Sequence, residues 1–204
     1  MSDCNFLDLV GKRTLFLGDV DMGKTRLTSR LIEEAVMFYL APSENRKVTD
    51  ASKEIRIMVI DLGPNLQMPT GKKIGRRLSL SDFVMSKIHY LTPKELHAPR
   101  MAGKTREEII SLAERNVSAI NDVLDYISLY KAESLQTVFV NDITLYFHRG
   151  SADRMIALAK TPSTFIANGY KGKSLVEDKG SGISRKESVE LERFATSMDT
   201  VINL

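Results

Sequence analysis

The chain alternates short, wholly apolar runs with longer stretches in which apolar side chains recur every three or four residues. Residues 13–18 carry Leu15, Phe16 and Leu17 in succession, the continuous pattern of a strand buried on both faces. From residue 24 to 40, Leu27, Leu31, Ala35 and Tyr39 fall on one helical face, and Pro42 sets the stop. Residues 43–53 are polar and read as a loop, and 55–60 form a second β-branched run that ends at Asp61. A capping pattern, Thr105 with Glu108, opens a long helix to about residue 130, striped by Ile109, Leu112, Ala113, Ile120, Val123, Leu124 and Ile127. A third strand at 137–140 is followed by Asn141 and Asp142, and a helix covers 151–159. A fourth strand at 164–167 is followed by Asn168 and Gly169. A Gly/Lys-rich loop then leads to a second capping pattern, Ser184 with Glu187, a helix to about 196 and a last short strand at 200–204. Residues 1–12 read as a leading helix or arm.

Strands alternating with helices predict an α/β fold, a mostly parallel, doubly wound sheet of about five strands with helices on both faces. With no internal repeat, residues 1–204 are expected to form a single domain. Residues 62–104 break the rhythm. They hold four of the six prolines (Pro64, Pro69, Pro93 and Pro99) and a basic group, Lys72, Lys73, Arg76 and Arg77, with Arg100 and Lys104 further on. A segment of that length is a functional insertion or lid, or has small elements of its own; a short strand and helix fit within 77–90.

The candidate chemistry starts where the first strand stops. Gly18, Asp19, Val20, Asp21, Met22, Gly23, Lys24 and Thr25 spell G-x-x-x-x-G-K-T between a strand and a helix. Glycines at both ends let the backbone N–H groups turn toward phosphates, Lys24 adds a point charge, and the Thr25 hydroxyl is suited to ligate Mg²⁺. The helix that begins there, with Arg26 in its first turn, directs its positive end at the same anion. The expected ligand is therefore Mg²⁺ with ATP or GTP. In sheets of this kind ligands sit beyond the carboxyl ends of the strands, and Asp61, Asn141, Asp142 and Asn168 all fall there.

Two acids compete for the metal side of the site. Asp142 is favoured for Mg²⁺, which leaves Asp61 to orient an attacking hydroxyl or water, with a metal-linked role for Asp61 still open. Either acid has the alternative of capping its own turn. Asp21 reads first as a turn-forming residue and second as a carboxylate facing metal or nucleophile. Asn168 is a positional expectation for base contact. The basic group at 72–77 is a solvated loop, a lid carrying Arg to developing phosphoryl charge, or a platform for a polyanion such as RNA. His89, His97 and His148 have no ligand-like spacing.

Net charge changes this little: +3, mildly basic, permits phosphate-bearing partners without requiring nucleic acid. A single cysteine, Cys4, excludes an intramolecular disulfide. No run of about 18 apolar residues and no signal-peptide pattern is present, so the expectation is a cytoplasmic chain without membrane partners.

The loop, with Asp21 at its fourth place, resembles two groups of the P-loop NTPase superfamily. One is the translational GTPases, whose G-x-V-D-x-G-K-T pattern it shares, although no N-K-x-D element follows the fourth strand. The other is the RNA-processing polynucleotide 5′-hydroxyl kinase family of the SIMIBI class. There Asp61 with the following Gly63, Pro64, Gln67, Pro69 and Gly71, and the run from Val138 to Asp142 followed by Gly150, look similar over residues 13–71 and 136–168. The resemblance implies a P-loop NTPase fold and phosphoryl transfer, by hydrolysis or to a hydroxyl. A nucleotide-dependent switch or binding module with little turnover is the alternative.

Overall fold

The computed structural model describes residues 4–41, 56–64, 66–67, 73–74, 77–129, 135–175 and 177–204. Six strands form one parallel sheet: β1 (Arg13–Gly18), β2 (Ile57–Asp61), β5 (His89–Leu91), β6 (Thr137–Asn141), β7 (Thr164–Tyr170) and β8 (Thr200–Asn203), in the order β5-β2-β6-β7-β1-β8. A two-residue antiparallel ribbon, β3 (Leu66–Gln67) with β4 (Lys73–Ile74), branches from the segment after β2.

Side chains alternate across this sheet with period two. Leu15, Leu17, Met58, Ile60, Val138, Val140, Phe165 and Ala167 face one layer. That layer holds buried residues of α4 (Arg106–Leu129), α5 (Thr144–Phe147), α6 (Ala152–Ala159) and α7 (Ile183–Ala195). Phe16, Ile57, Val59, Phe139 and Ile166 face the other, which is closed by Leu31, Ile32, Ala35 and Val36 of α1 (Lys24–Leu40), Val84 of α2 (Asp82–Met85) and a 3₁₀ turn at Phe6–Leu9. Helices therefore cover both faces, as the alternation of elements predicts. Among the described residues no helix is long and apolar enough to cross a membrane.

Several boundaries differ from expectation for identifiable reasons. β7 runs three residues past 167, so Asn168 lies inside the strand, because Phe16, Leu17 and Gly18 of β1 continue to pair with Asn168, Gly169 and Tyr170. The sheet has six strands rather than five: β5 joins β2 through His89, Tyr90 and Leu91, preceded by α2, so the helix comes before the strand. The capping pattern at Ser184 does not form. Gly182, at φ 77°, is the N-cap, and the Ser184 N–H donates to Asp178 Oδ2 at 3.0 Å. Glu187 is thereby free for another partner. At α4 the pattern half forms: Thr105 Oγ1 accepts from the Glu108 N–H, while Glu108 accepts from the Lys104 N–H. The loop at 43–53 lies outside the described residues.

One polar residue interrupts the apolar stripe of α4. Asn116 is fully buried, accepts from the His97 N–H at 2.8 Å and donates to the His97 carbonyl at 2.9 Å. It supplies the backbone partners that the irregular segment at His97 lacks, and so fixes the approach to α3 (Pro99–Ala102). Asn116→Leu is expected to lower unfolding free energy by about 2 kcal/mol, measured by urea denaturation; an unchanged midpoint would show that the bridge carries no stability.

Candidate functional site

β1 ends at Gly18, and the chain doubles back through two left-handed residues, Asp21 at φ 62° and Gly23 at φ 82°. Glycine tolerates that region freely, and Asp is among the few other residues found there. Gly23 is the N-cap of α1 and offers no side chain to its first N–H groups, so the opening amides of the helix face outward with their partial positive charge. The Lys24 ammonium lies back over the loop and donates to the Gly18 carbonyl at 2.9 Å and the Asp19 carbonyl at 2.5 Å. Burial pulls its pKa down, against the pull of the Asp142, Asp19 and Asp21 carboxylates. Asp19 itself turns to the loop after β7, accepting from the Val20 N–H at 2.7 Å and the Lys173 N–H at 3.0 Å. Those backbone donors hold its carboxyl below the ordinary range. Gly172 makes room for it; a Cβ there would lie 2.2 Å from Asp19 Cγ.

Behind the loop, buried side chains link the strand ends in series. Asn141 Nδ2 donates to Asp61 Oδ1 at 2.7 Å, and Asn168 Nδ2 donates to Asn141 Oδ1 at 2.8 Å and to Thr28 Oγ1 at 2.7 Å. The Thr28 hydroxyl donates to the Lys24 carbonyl at 3.1 Å, and Asn168 Oδ1 accepts from the Asp142 N–H at 3.0 Å. β2, β6, β7 and α1 are thus joined through one set of carboxamides. Asn168, expected to face a base, spends its side chain inside this relay.

The two competing acids are sorted by their surroundings. Asp61 is fully buried and accepts four hydrogen bonds, from Asn141 Nδ2, the Gly63 N–H at 3.0 Å, the Leu78 N–H at 2.8 Å and the Tyr90 hydroxyl at 2.5 Å. Burial, then the contact with Asp61, raises the Tyr90 pKa. Asp142 is half-buried, holds a left-handed backbone at φ 59° and receives one side-chain hydrogen bond, from Thr144 Oγ1 at 3.3 Å. Desolvation pushes its pKa up to about 6, with Lys24 opposing and Glu187 and Asp61 adding to the rise. Asp142 lines a cavity of about 600 Å³ shared with Lys24, Thr25, Arg26, Arg77 and Arg100, a size suited to a small-molecule ligand. Asp61 is not among the residues lining it.

The far wall carries a group that sequence reasoning missed. Arg100 Nη2 pairs with Glu187 Oε2; Arg100 Nη1 lies 3.1 Å from His148 Nε2, and Arg100 Nε donates to Ser184 Oγ at 3.2 Å. His148 Nε2 is 2.8 Å from Glu187 Oε2, all three side chains are nearly inaccessible, and burial lowers the His148 pKa. Arg100, expected in a basic loop cluster, is instead a buried member of an ion triad joining α3 to α7. The only local clue was Glu187, and it looked like half of a helix cap.

Of the other sequence candidates, Val20, Asp21 and Met22 line the same cavity with Gly23 and Asn168. Lys72 and Arg76 lie outside the described residues, Lys73 falls on β4, and Arg77 reaches the cavity. Among the described residues no three His, Cys, Asp or Glu side chains cluster as a metal cage. Mg²⁺ commonly takes only one or two protein groups beside substrate phosphates, and Thr25 and Asp142, a hydroxyl and a carboxylate on one cavity, fit that requirement. No protein-family model matches the chain, and no curated protein matches it.

The raised Asp142 pKa fixes the sign of a stability change. Its native value, about 6, exceeds the ordinary 3.8, so the charged form costs stability above pH 6 and the cost fades as pH falls toward 4. In nucleotide-free buffer containing a chelator, Asp142→Asn should be more stable than wild type at pH 7.5 by about 1–3 kcal/mol, with the gain vanishing near pH 4. A gain that does not change with pH would contradict this assignment.

Proposed function

We propose that the chain binds a Mg²⁺–nucleoside triphosphate on residues 18–25 and transfers its terminal phosphoryl group, as an NTPase or a kinase. The observation that carries the reading is the strand–loop–helix itself. Among the described residues a half-buried Lys24 donates to loop carbonyls, an uncapped helix N-terminus lies beside it, and the raised acid Asp142 lines the same cavity. The first two features are costly without an anion and useful with one, and the third is relieved by the Mg²⁺ that a triphosphate carries.

In this reading the loop amides and Lys24 hold the β- and γ-phosphates, and the Thr25 hydroxyl and Asp142 hold Mg²⁺. The metal supplies charge neutralisation to the transferring group. The cavity between the loop and α3 leaves space for water or an acceptor hydroxyl. The resemblance to polynucleotide 5′-hydroxyl kinases makes an RNA or DNA 5′-hydroxyl the first acceptor to try. Asp61 contributes through the strand-end relay, because its lone pairs are already committed.

Titration calorimetry with Mg²⁺–ATP and Mg²⁺–GTP should show binding of at least one, and Lys24→Ala should weaken it by roughly a hundredfold. Phosphate release, or labelling of a 5′-hydroxyl oligonucleotide, separates turnover from a binding module. Equal binding by wild type and Lys24→Ala would overturn the site.

A further inference from the structure

We infer that Arg77 is the cation that reads the terminal phosphoryl group of the bound triphosphate, and that Asp61 is the positioning residue that holds it there. The inference rests on the phosphate-site reading of residues 18–25 and deepens it.

The cations of the cavity are in different states. Lys24 rests on loop carbonyls, Arg100 is committed to Glu187, His148 and Ser184, and Arg26 is exposed on the first turn of α1. Arg77 also lines the cavity, yet it has no carboxylate partner among the described residues, and its Nε is buried without any acceptor. Tyr90, on which the Arg77 charge acts, has already given its hydroxyl to Asp61. A guanidinium is always charged and carries five donors, and a buried donor without an acceptor is costly. A cation held at a cavity wall in that condition is complementary to an anion that enters the cavity.

The backbone around Arg77 is fixed from two sides. The next residue, Leu78, donates its N–H to Asp61 Oδ2 at 2.8 Å, and Ser79 donates to Ser29 Oγ at 3.3 Å, one turn along α1 from Thr25. Asp61 is itself clamped by Tyr90 and by Asn141 Nδ2. The four acceptor contacts of this carboxylate therefore tie β2, β5 and β6 to the residue after Arg77. The strand order puts β2 three places from β1, with β6 and β7 between. Arg77 thus reaches the cavity from a chain segment other than the loop, as Asp142 does. Loop amides and Lys24 hold the β- and γ-phosphates from one side; a cation supplied from another segment meets the oxygens they leave uncovered, those of the terminal phosphate. Charge developing there during transfer would strengthen the same contact.

The test compares the β,γ-imido analogues of ATP and GTP with ADP and GDP, each with Mg²⁺, by titration calorimetry. Arg77→Ala should weaken the triphosphate analogue ten- to hundredfold while diphosphate affinity stays within threefold, and methylguanidinium should restore part of any turnover lost. Asp61→Asn should show the same triphosphate-selective loss; if that variant does not fold, Leu78→Pro removes the N–H that Asp61 accepts and should do so instead. Equal loss of both nucleotides, or no loss, in Arg77→Ala overturns the role of Arg77. An unchanged triphosphate-to-diphosphate ratio in the Asp61 or Leu78 variant overturns the positioning role alone. Wild-type protein that binds neither nucleotide overturns the underlying site as well.

Discussion

A buried line of carboxamides crosses the carboxyl edge of the sheet, and the position of everything at the site depends on it. Asn141 and Asn168 sit at neighbouring strand ends, Asp61 closes one side and Thr28 of α1 the other. Every link in this line is a buried polar group satisfied by the next, so removing one member leaves its neighbours unpaired in a low-dielectric interior. The line sets where α1 starts relative to β6. It thereby sets where the amides of residues 23–26 and the Asp142 carboxylate lie relative to each other.

The same edge explains why two acids so close in the fold behave differently. Asp61 is surrounded by donors from the turn after β2, from β5 and β6, and from the residue after Arg77, which make its carboxylate a structural acceptor. Asp142 is desolvated with little hydrogen-bond compensation, and its charge is opposed by Lys24 and aggravated by Glu187. A metal cation beside Asp142 would remove that penalty, whereas one at Asp61 would have to displace four existing bonds. Across the cavity, Arg100, His148 and Glu187 form a buried triad that closes the wall without adding a free charge.

Much of the architecture was legible in the sequence because buried parallel strands are continuous apolar runs and amphipathic helices show their stripe. The runs at 13–18, 55–60, 137–140 and 164–167 correspond to the four central strands, and the helices at 24–40 and 105–130 to the longest two. What local pattern did not reveal depends on contacts distant in sequence. β5 is three residues long and forms because β2 offers it an open edge. Ser184 with Glu187 has the spelling of a helix cap, yet Asp178 and Gly182 take the cap, and Glu187 pairs with Arg100, 87 residues away. The loop at 18–25 was readable as a candidate phosphate site because its chemistry is contiguous. The roles of Asp61 and Asn168 were not, since an acid or amide at a strand end looks the same whether it faces a ligand or a neighbouring strand. Arg77 was visible only as one member of a basic cluster; its place at the cavity wall, with no carboxylate partner among the described residues, is a tertiary fact.

If residues 18–25 form a phosphate site, the loop carbonyls hold Lys24 in waiting for the triphosphate. A crystal structure with Mg²⁺ and a non-hydrolysable triphosphate tests it most directly. The expected result is the β- and γ-phosphates on the amides of residues 19–25, Lys24 Nζ moved from the Gly18 and Asp19 carbonyls onto a phosphate oxygen, and the metal between the triphosphate and Thr25. A triphosphate bound elsewhere, or a Lys24 ammonium still seated on those two carbonyls with the nucleotide present, would contradict it.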